Sequence, residues 1–127
     1  MPDTIKKKTR FEASTPILSV KNLSASIDYY VNILGFKKDW GEGAMASVSR
    51  DNASVMLCQG EQGQPGTWVW FGVADAEMLY EEYKAHGAKI QQEPTNYSWA
   101  YEMRVEDPDG HVLRFGSDPK EGEPYKD

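Results

Sequence analysis

Three charged residues near the end of the chain are spaced so that they can share one face of a β-hairpin. Glu102 and Arg104 lie two residues apart before the turn, and Arg114 follows it. Alternate residues of a strand point to the same side. An arginine on that face can hold an anionic or carbonyl group, whereas Glu102 can meet a cationic group or, if burial raises its pKa, act as a general base. The three can equally neutralise one another and brace the sheet.

Aromatic residues accompany these charges. Trp68 and Trp70 fall on one face of a predicted strand and form a broad apolar wall suited to a planar ligand. Large aromatics also fill space between sheets or bury a dimer interface, so both interpretations stay open. The predicted ligand-binding residues are Trp40, Ser54, Met56, Trp68, Trp70, Trp99, Tyr101, Glu102, Arg104 and Arg114. We expect Trp99 and Tyr101 to form the rim of the site.

The sequence predicts no catalytic residue. Glu102 has no evident second acid or base, and no phosphate loop, dinucleotide fingerprint or catalytic triad is present. Cys58 has no adjacent histidine and is expected as a small buried residue. His86 is expected at a helix end and His111 at a turn or strand edge. No cofactor is expected.

Composition excludes several partners. The net charge of −6 argues against nucleic acid, whose phosphates require a basic face. No apolar run approaches the ~20 residues that span a bilayer. The single cysteine, Cys58, excludes an internal disulfide and is typical of a reducing cytoplasm.

The pattern of apolar residues and turn signals predicts an α+β fold made of two βαβββ units. The first is predicted as a strand at 15–20, a helix from Leu23 to Leu34, and strands at 36–40, 45–50 and 53–59. The second is predicted as a strand at 67–73, a helix from Asp75 to His86, a strand at 88–92, a loop at 93–98, and a hairpin at 99–106 and 111–116.

The two units form an internal repeat. Val73 follows Val20 by 53 residues and Gly87 follows Gly35 by 52, at equivalent strand and helix ends. The predicted organisation is a flexible N-terminal tail at 1–13, modules at 14–60 and 67–116 joined by a linker at 61–66, and a polar C-terminal tail at 117–127. Each helix is expected to cover one side of a small sheet, with the other sides turned toward a shared groove.

Several motifs carry a resemblance to a known family. They are PILSVKNL at 16–23, YY at 29–30, LGF at 34–36, WFGVAD at 70–75, HGA at 86–88 and RVEDPDGHVLRFG at 104–116. Over roughly Ser14 to Gly116 the chain resembles the glyoxalase / bleomycin-resistance / extradiol-dioxygenase superfamily, also called vicinal oxygen chelate. The resemblance implies curved sheets around a groove and a homodimer, with the groove near or across the interface and sometimes with exchanged modules.

The metal site of that superfamily can be tested position by position. Metal-dependent relatives use four strand positions, which by alignment correspond here to Thr15, Met56, Trp68 and Arg114. A hydroxyl, a thioether, an indole and a guanidinium are not a ligand set for a divalent transition metal. A shift of one residue in either direction gives no ligand set either. We therefore predict that no metal is bound, as in the bleomycin-resistance branch.

Three functions follow from this interpretation. The first is reversible binding of an aromatic or amphipathic small molecule, as in the bleomycin-resistance branch, which sequesters a cationic antibiotic with a planar tail. The second is a metal-free isomerase or lyase that uses Glu102 as acid or base beside an arginine. The third is a filled groove in a protein that serves only through its dimer interface. Binding is favoured over catalysis.

Overall fold

The computed structural model describes residues 7–127. Its elements in chain order are β1 (Ile17–Ser19), α1 (Leu23–Asp28), a π-helical turn (Tyr29–Ile33), β2 (Lys37–Glu42), β3 (Met45–Arg50), β4 (Ala53–Cys58), β5 (Trp68–Gly72), α2 (Ala76–Ala85), β6 (Lys89–Asn96), β7 (Tyr101–Glu106) and β8 (Val112–Ser117). The first part of the predicted N-terminal tail, 1–6, lies outside the described residues, and 7–13 are exposed. No helix in the described part is long and apolar enough to cross a membrane.

The strands form two sheets with matching topology. Their orders are β1-β4-β3-β2 and β5-β8-β7-β6. In each sheet the first strand pairs in parallel with the last, and the remaining pairs are antiparallel. The predicted α+β architecture of two βαβββ modules is confirmed.

One apolar core serves both modules. The side of each sheet that faces the helices is lined by residues in one alternation phase, since side chains of a strand point to the two sides in turn. The buried members of this phase are Leu18, Val55, Leu57, Phe71, Met103, Val105, Leu113 and Phe115. They join a single cluster with Tyr30 and Tyr83 of the two helical segments, so neither module has a complete core alone.

The first helix differs from the continuous α-helix predicted over Leu23 to Leu34. It begins with the Asn22 side chain accepting from the Ala25 N–H at 3.0 Å and widens into π-helical geometry after Asp28. The Leu34 N–H accordingly bonds the Tyr29 carbonyl, 3.0 Å away. The apolar spacing of such a segment is compatible with either winding, which is why the sequence did not distinguish them.

The region predicted as a loop at 93–98 is largely strand, so that prediction was wrong. β6 extends to Asn96 and pairs with β7 through two register irregularities, which lie on either side of Gln92. Pro94 falls within the second of them. β6 is an edge strand, where a residue without an N–H can be accommodated.

The predicted polar C-terminal tail is hydrogen-bonded to the end of β6 and to the loop that follows it. Asn96 accepts from the Lys120 N–H at 2.9 Å, and its carbonyl accepts from the Lys126 N–H at 2.8 Å. The Asp127 carboxylate accepts from both the N–H and the hydroxyl of Ser98. These bonds fix the loop between β6 and β7.

The turn between β7 and β8, which we call the closing turn (106–111), fastens the second module to the first. Tyr30 donates its hydroxyl to the buried Asp107 carboxylate at 2.8 Å, which also accepts from the His111 N–H. The Asp109 carboxylate accepts from the Lys21 N–H at 2.8 Å and from the Ser26 hydroxyl. Burial raises the pKa of Asp107, and the bond from Tyr30 opposes that rise.

His111 belongs to the closing turn, one of the two places predicted for it, and is part of the same fastening. Its ring is fully buried. The Thr67 N–H donates to Nδ1 at 2.9 Å, so Nε2 carries the proton and donates to the Ser19 carbonyl at 2.6 Å. The neutral imidazole thus joins β1 of the first module to the residue preceding β5 of the second.

We expect Tyr30→Phe to lower the free energy of unfolding by about 1–3 kcal/mol, because Asp107 stays buried and loses a hydrogen-bond donor. Urea denaturation measures the change. Tyr80→Phe is the matched control, since its hydroxyl donates to Glu93 at the surface and its loss is expected to cost less than about 0.5 kcal/mol. Equal effects of the two variants would contradict the fastening role.

Candidate functional site

Three strands of the second sheet direct functional side chains away from the helices. β5 carries Trp68 and Trp70, β7 carries Glu102 and Arg104, and β8 carries Arg114. In the register Trp70 lies beside Arg114, and Arg114 lies beside Arg104. We call this surface the tryptophan–arginine face. The structure therefore brings together the charges and the two indoles that the sequence placed on one side.

Glu102 is the centre of the face and is fully buried. Its Oε1 accepts from Trp99 Nε1 at 3.0 Å and from Arg114 Nη2 at 2.7 Å. Its Oε2 accepts from Arg114 Nε at 2.9 Å and from Arg104 Nε at 3.4 Å. Four donors thus occupy both oxygens, so the three charges form the mutual ion-pair cluster foreseen as one alternative, although two arginines on one carboxylate leave one positive charge unbalanced.

This enclosure decides the protonation state of Glu102. Burial alone raises the pKa of this carboxyl, but the hydrogen bonds from Arg114 and Trp99 and the charges of the two arginines outweigh it. The pKa therefore lies below its ordinary value. The condition under which Glu102 could act as a general base, a pKa raised by burial, is not met in this arrangement, because the hydrogen bonds and ion pairs outweigh the desolvation.

Each arginine also contacts a tryptophan ring. The guanidinium carbon of Arg104 lies 5.2 Å from the ring centre of Trp68, and that of Arg114 lies 5.2 Å from the ring centre of Trp70. The indoles remain accessible, with 55% of Trp68 and 47% of Trp70 exposed. Cation–π contact holds the guanidinium groups against the rings, so the face presents apolar and cationic surface side by side.

Gly116 of β8 makes room for Trp70, a role that sequence reasoning missed. A side chain at Gly116 would overlap the six-membered ring of Trp70. The indole therefore lies directly over the backbone of β8. A glycine inside a predicted strand was the available signal, since it marks a place where another group approaches the backbone closely.

Trp99 lies at the end of this face. Its ring stacks on Tyr97 with 4.6 Å between ring centres and 6° between planes, and its Nε1 reaches Glu102. Its side chain is exposed. The loop that carries it is the one fixed by the C-terminal segment, so the position of Trp99 depends on those contacts.

Tyr101 was predicted to line the site and does not. It lies in the alternation phase of Met103, on the helix side of the sheet. Its hydroxyl donates to Glu77 of α2 at 3.3 Å, and Lys120 Nζ lies 4.6 Å from its ring centre. Tyr101 was predicted as a rim residue although the strand predicted at 99–106 already gave it the phase of Met103. It is the first residue of β7 and follows that strand's alternation.

The remaining predicted residues, Trp40, Ser54 and Met56, lie on the open side of the first sheet. Met56 pairs with Ser47, and Ser47 pairs with Trp40. A bulge between Lys38 and Trp40 turns the indole to this side. Within residues 7–127 no hydrogen bond, ion pair or ring contact joins this set to the tryptophan–arginine face. A single chain therefore presents two separate patches.

The four positions that hold a metal in metal-dependent relatives do not fit one here. Arg114 occupies one with a positive charge engaged by Glu102, and Thr15 shares a hydrogen bond with Ser54 at 2.9 Å. Trp68 and Met56 supply no charged donor. Across the described residues no group of three or more His, Cys, Asp or Glu side chains is placed to hold an ion. The metal-free state stays a prediction that rests on this donor set.

A further cleft of about 630 Å³ lies on the helix side, between the β3–β4 turn and the start of α2. Its lining includes Phe71, Met78 and the ion pair of Arg50 with Glu82. Sequence analysis did not find it because its walls come from both modules. It holds none of the predicted ligand residues.

A family comparison agrees with this fold. The model of the Glyoxalase/Bleomycin resistance protein/Dioxygenase superfamily matches residues 13–115. The chain belongs to this superfamily. The match therefore confirms the resemblance read from the motifs and covers both modules.

Solved structures of the superfamily's fold are similar at low sequence identity. A bleomycin-binding protein from bleomycin-producing Streptomyces verticillus, complexed with copper(II)-bleomycin, has a TM-score of 0.69 at 22% identity and covers 89% of this chain and 100% of that chain. TioX from Micromonospora sp. ML1 has a TM-score of 0.71 at 21% identity, covering 84% of this chain and 98% of that chain. At such identities the likeness shows the superfamily fold alone.

One curated relative carries a different name. A protein called LexA repressor from Paramagnetospirillum magneticum (strain ATCC 700264 / AMB-1) is 28% identical over 105 residues, or 79% of this chain. The chain spans 44% of that protein's length. The superfamily membership of the present chain rests on the family match and not on this relative.

The pH dependence of stability tests the state of Glu102. Because its pKa is lowered by folding, its ionised form stabilises the protein above the pKa of the unfolded state, and this contribution is lost as pH falls through the folded pKa. We expect Glu102→Gln to cost about 1–3 kcal/mol of unfolding free energy at pH 7, with the gap to wild type narrowing below about pH 4. Urea denaturation over a pH series checks both statements. Glu81→Gln, at an exposed surface pair, is the control and is expected to show no such gap.

The close approach of Trp70 to Gly116 can be tested with a matched pair of glycines. We expect Gly116→Ala to displace the indole and change the tryptophan bands of the near-ultraviolet circular dichroism spectrum. Gly72 pairs with Gly116, and a methyl group there would meet Trp70 at an ordinary 3.8 Å. Gly72→Ala is therefore expected to leave the bands unchanged. An unaltered spectrum for Gly116→Ala would contradict the packing described.

Proposed function

We propose that this protein binds a small aromatic or amphipathic molecule reversibly, without a metal and without chemical conversion. The observation that carries the proposal is the pair of accessible tryptophans, Trp68 and Trp70, held on one face by arginines whose shared carboxylate is already fully bonded. Accessible aromatic surface with a few fixed polar groups is typical of a ligand site.

The condition of Glu102 supports binding over catalysis. An acid–base catalyst must reach its substrate and exchange a proton near the working pH. Glu102 is buried, its oxygens are occupied by four donors, and its pKa is lowered. The alternative of a metal-free isomerase or lyase acting through Glu102 therefore has no observation in its favour.

A superfamily member with a similar fold supports the idea of sequestration. The Streptomyces verticillus protein is described as a bleomycin-binding protein and was solved with its copper(II)-bleomycin ligand. For the present chain we carry over only the principle that this fold can hold a small molecule. The proposed setting is the reducing cytoplasm, in keeping with the single free cysteine, Cys58.

A second copy of the chain is proposed to complete the groove. The tryptophan–arginine face and the patch of Trp40 and Met56 are both open in one chain, with Trp40 44% exposed. A homodimer that opposes the two patches would enclose a ligand between aromatic walls and remove this apolar area from water. The same faces would meet whether each chain keeps its own two modules or the two chains exchange modules.

Ligand binding is tested by quenching of tryptophan fluorescence with a panel of planar aromatic compounds, each recovered and analysed afterwards. We expect saturable quenching, unchanged compounds and no effect of a metal chelator. Trp68→Leu is expected to weaken binding by about tenfold or more, within the range of an aromatic anchor. Phe11→Leu is the control, because Phe11 is an exposed aromatic outside the face, on the N-terminal segment. Conversion of a compound, or binding that requires a divalent ion, would contradict the proposal.

A further inference from the structure

The charge around the tryptophan–arginine face has the opposite sign to that of the whole chain. Arg104 and Arg114 face a single carboxylate, Glu102, so this cluster has one positive charge in excess. The next carboxylate of β7 in the same phase, Glu106, is paired with Lys89 at 2.7 Å. The net charge of −6 therefore does not describe the surface that a ligand would meet.

The two arginines keep hydrogen-bond donors free. Arg104 uses only Nε toward Glu102, and Arg114 uses Nε and Nη2. Within residues 7–127 both Nη atoms of Arg104 and the Nη1 atom of Arg114 have no protein acceptor. The side chains are 25% and 28% exposed, so these donors are accessible to a ligand and partly shielded from water. Such donors form strong charge-assisted bonds to carboxylates.

In the described part of the chain, this face offers a cationic ligand no unpaired carboxylate. The oxygens of Glu102 are occupied and buried, so an ammonium group would meet two guanidinium groups instead. The Asp127 carboxylate, near the loop that carries Trp99, is bound by the N–H and hydroxyl of Ser98. Repulsion between like charges disfavours a cation at such a site.

We propose that the tryptophan–arginine face selects planar aromatic anions, and specifically aromatic carboxylates, over their cationic analogues. The proposal refines the binding function above and rests on it. Since each guanidinium lies 5.2 Å from an indole ring, one ligand can place its ring on apolar surface and its carboxylate at the free N–H donors. Contact of the ligand's ring with the indoles supplies affinity, and the positive charge of the arginines makes the face selective for anionic ligands.

Three probes of one shape separate these contributions. They are 2-naphthoate, 2-naphthamide and 2-naphthylmethylammonium, which are negative, neutral and positive at pH 7.5. Isothermal titration calorimetry on the full chain is expected to give 2-naphthoate at least about tenfold tighter binding than 2-naphthamide, with the cation weakest. Raising the salt concentration is expected to weaken 2-naphthoate more than 2-naphthamide, because screening acts on the charged pair.

Variants assign the preference to the arginines. Arg104→Gln leaves Glu102 with Arg114 and Trp99 as partners, and it is expected to remove most of the difference between 2-naphthoate and 2-naphthamide. Arg104→Lys keeps the charge and is expected to retain part of the difference. Lys84→Gln removes a positive charge from α2 on the other side of the sheet and is the control, with the full difference retained.

The outcomes distinguish this proposal from the one on which it rests. Equal affinities for the three probes, or tightest binding of the cation, would overturn the anion preference and leave aromatic binding intact. A difference that survives in Arg104→Gln as fully as in Lys84→Gln would also overturn it. Failure of all three probes to bind would count against the binding function itself.

Discussion

The hydrogen bonds and ion pairs of the buried Glu102 carboxylate hold the side chains on the open side of the second sheet in place. A buried charge is tolerated in a protein only when its partners compensate for the water it has lost. Here two guanidinium groups and an indole N–H supply that compensation, and in doing so they bring together residues from β7, β8 and the preceding loop. The arginines are thereby held over Trp68 and Trp70. The aromatic surface and its charge are consequences of one hydrogen-bonded cluster.

The two sides of each sheet follow different physical rules. On the helix side the alternation phase is apolar and the residues merge into one core across both modules. On the open side the phase mixes aromatic, polar and charged residues with apolar ones such as Met56 and Val112. Within residues 7–127, Glu102 is a large side chain of this phase that is fully removed from water. This division leaves the helix side to hold the fold together, and the proposed function assigns ligand binding to the open side.

Much of the fold was accessible from the sequence because period-two alternation and turn residues are local signals. β3 was predicted at its observed bounds, and the packing of each helix against one side of a sheet was expected. Errors arose where one local sequence signal is compatible with two different structures. Pro94 indicated a loop but lies in an irregular edge strand. The apolar spacing before Gly35 fits both α- and π-helical winding.

The site was predicted less completely, because its properties depend on competition between nearby groups. Glu102, Arg104 and Arg114 were placed together, yet whether burial or ion pairing controls the pKa of Glu102 depends on distances that spacing does not provide. The burial of His111 escaped prediction since its partner Ser19 is 92 positions away. Trp40 reached the open side through a bulge, which shifts the alternation without a clear mark in the sequence.

The closing turn also bears on how the chain acquires its structure. Its bonds to Tyr30 and Ser19 join residues separated by 77 and 92 positions, and contacts this distant form only after long loops have closed. The helical segments and hairpins within each half form local contacts and can assemble early. The apolar residues of each half, however, stay exposed to water until the closing turn binds the first module. Folding is then expected to be a single cooperative event spanning the linker, so that the two repeats behave as one foldon rather than as two independent domains.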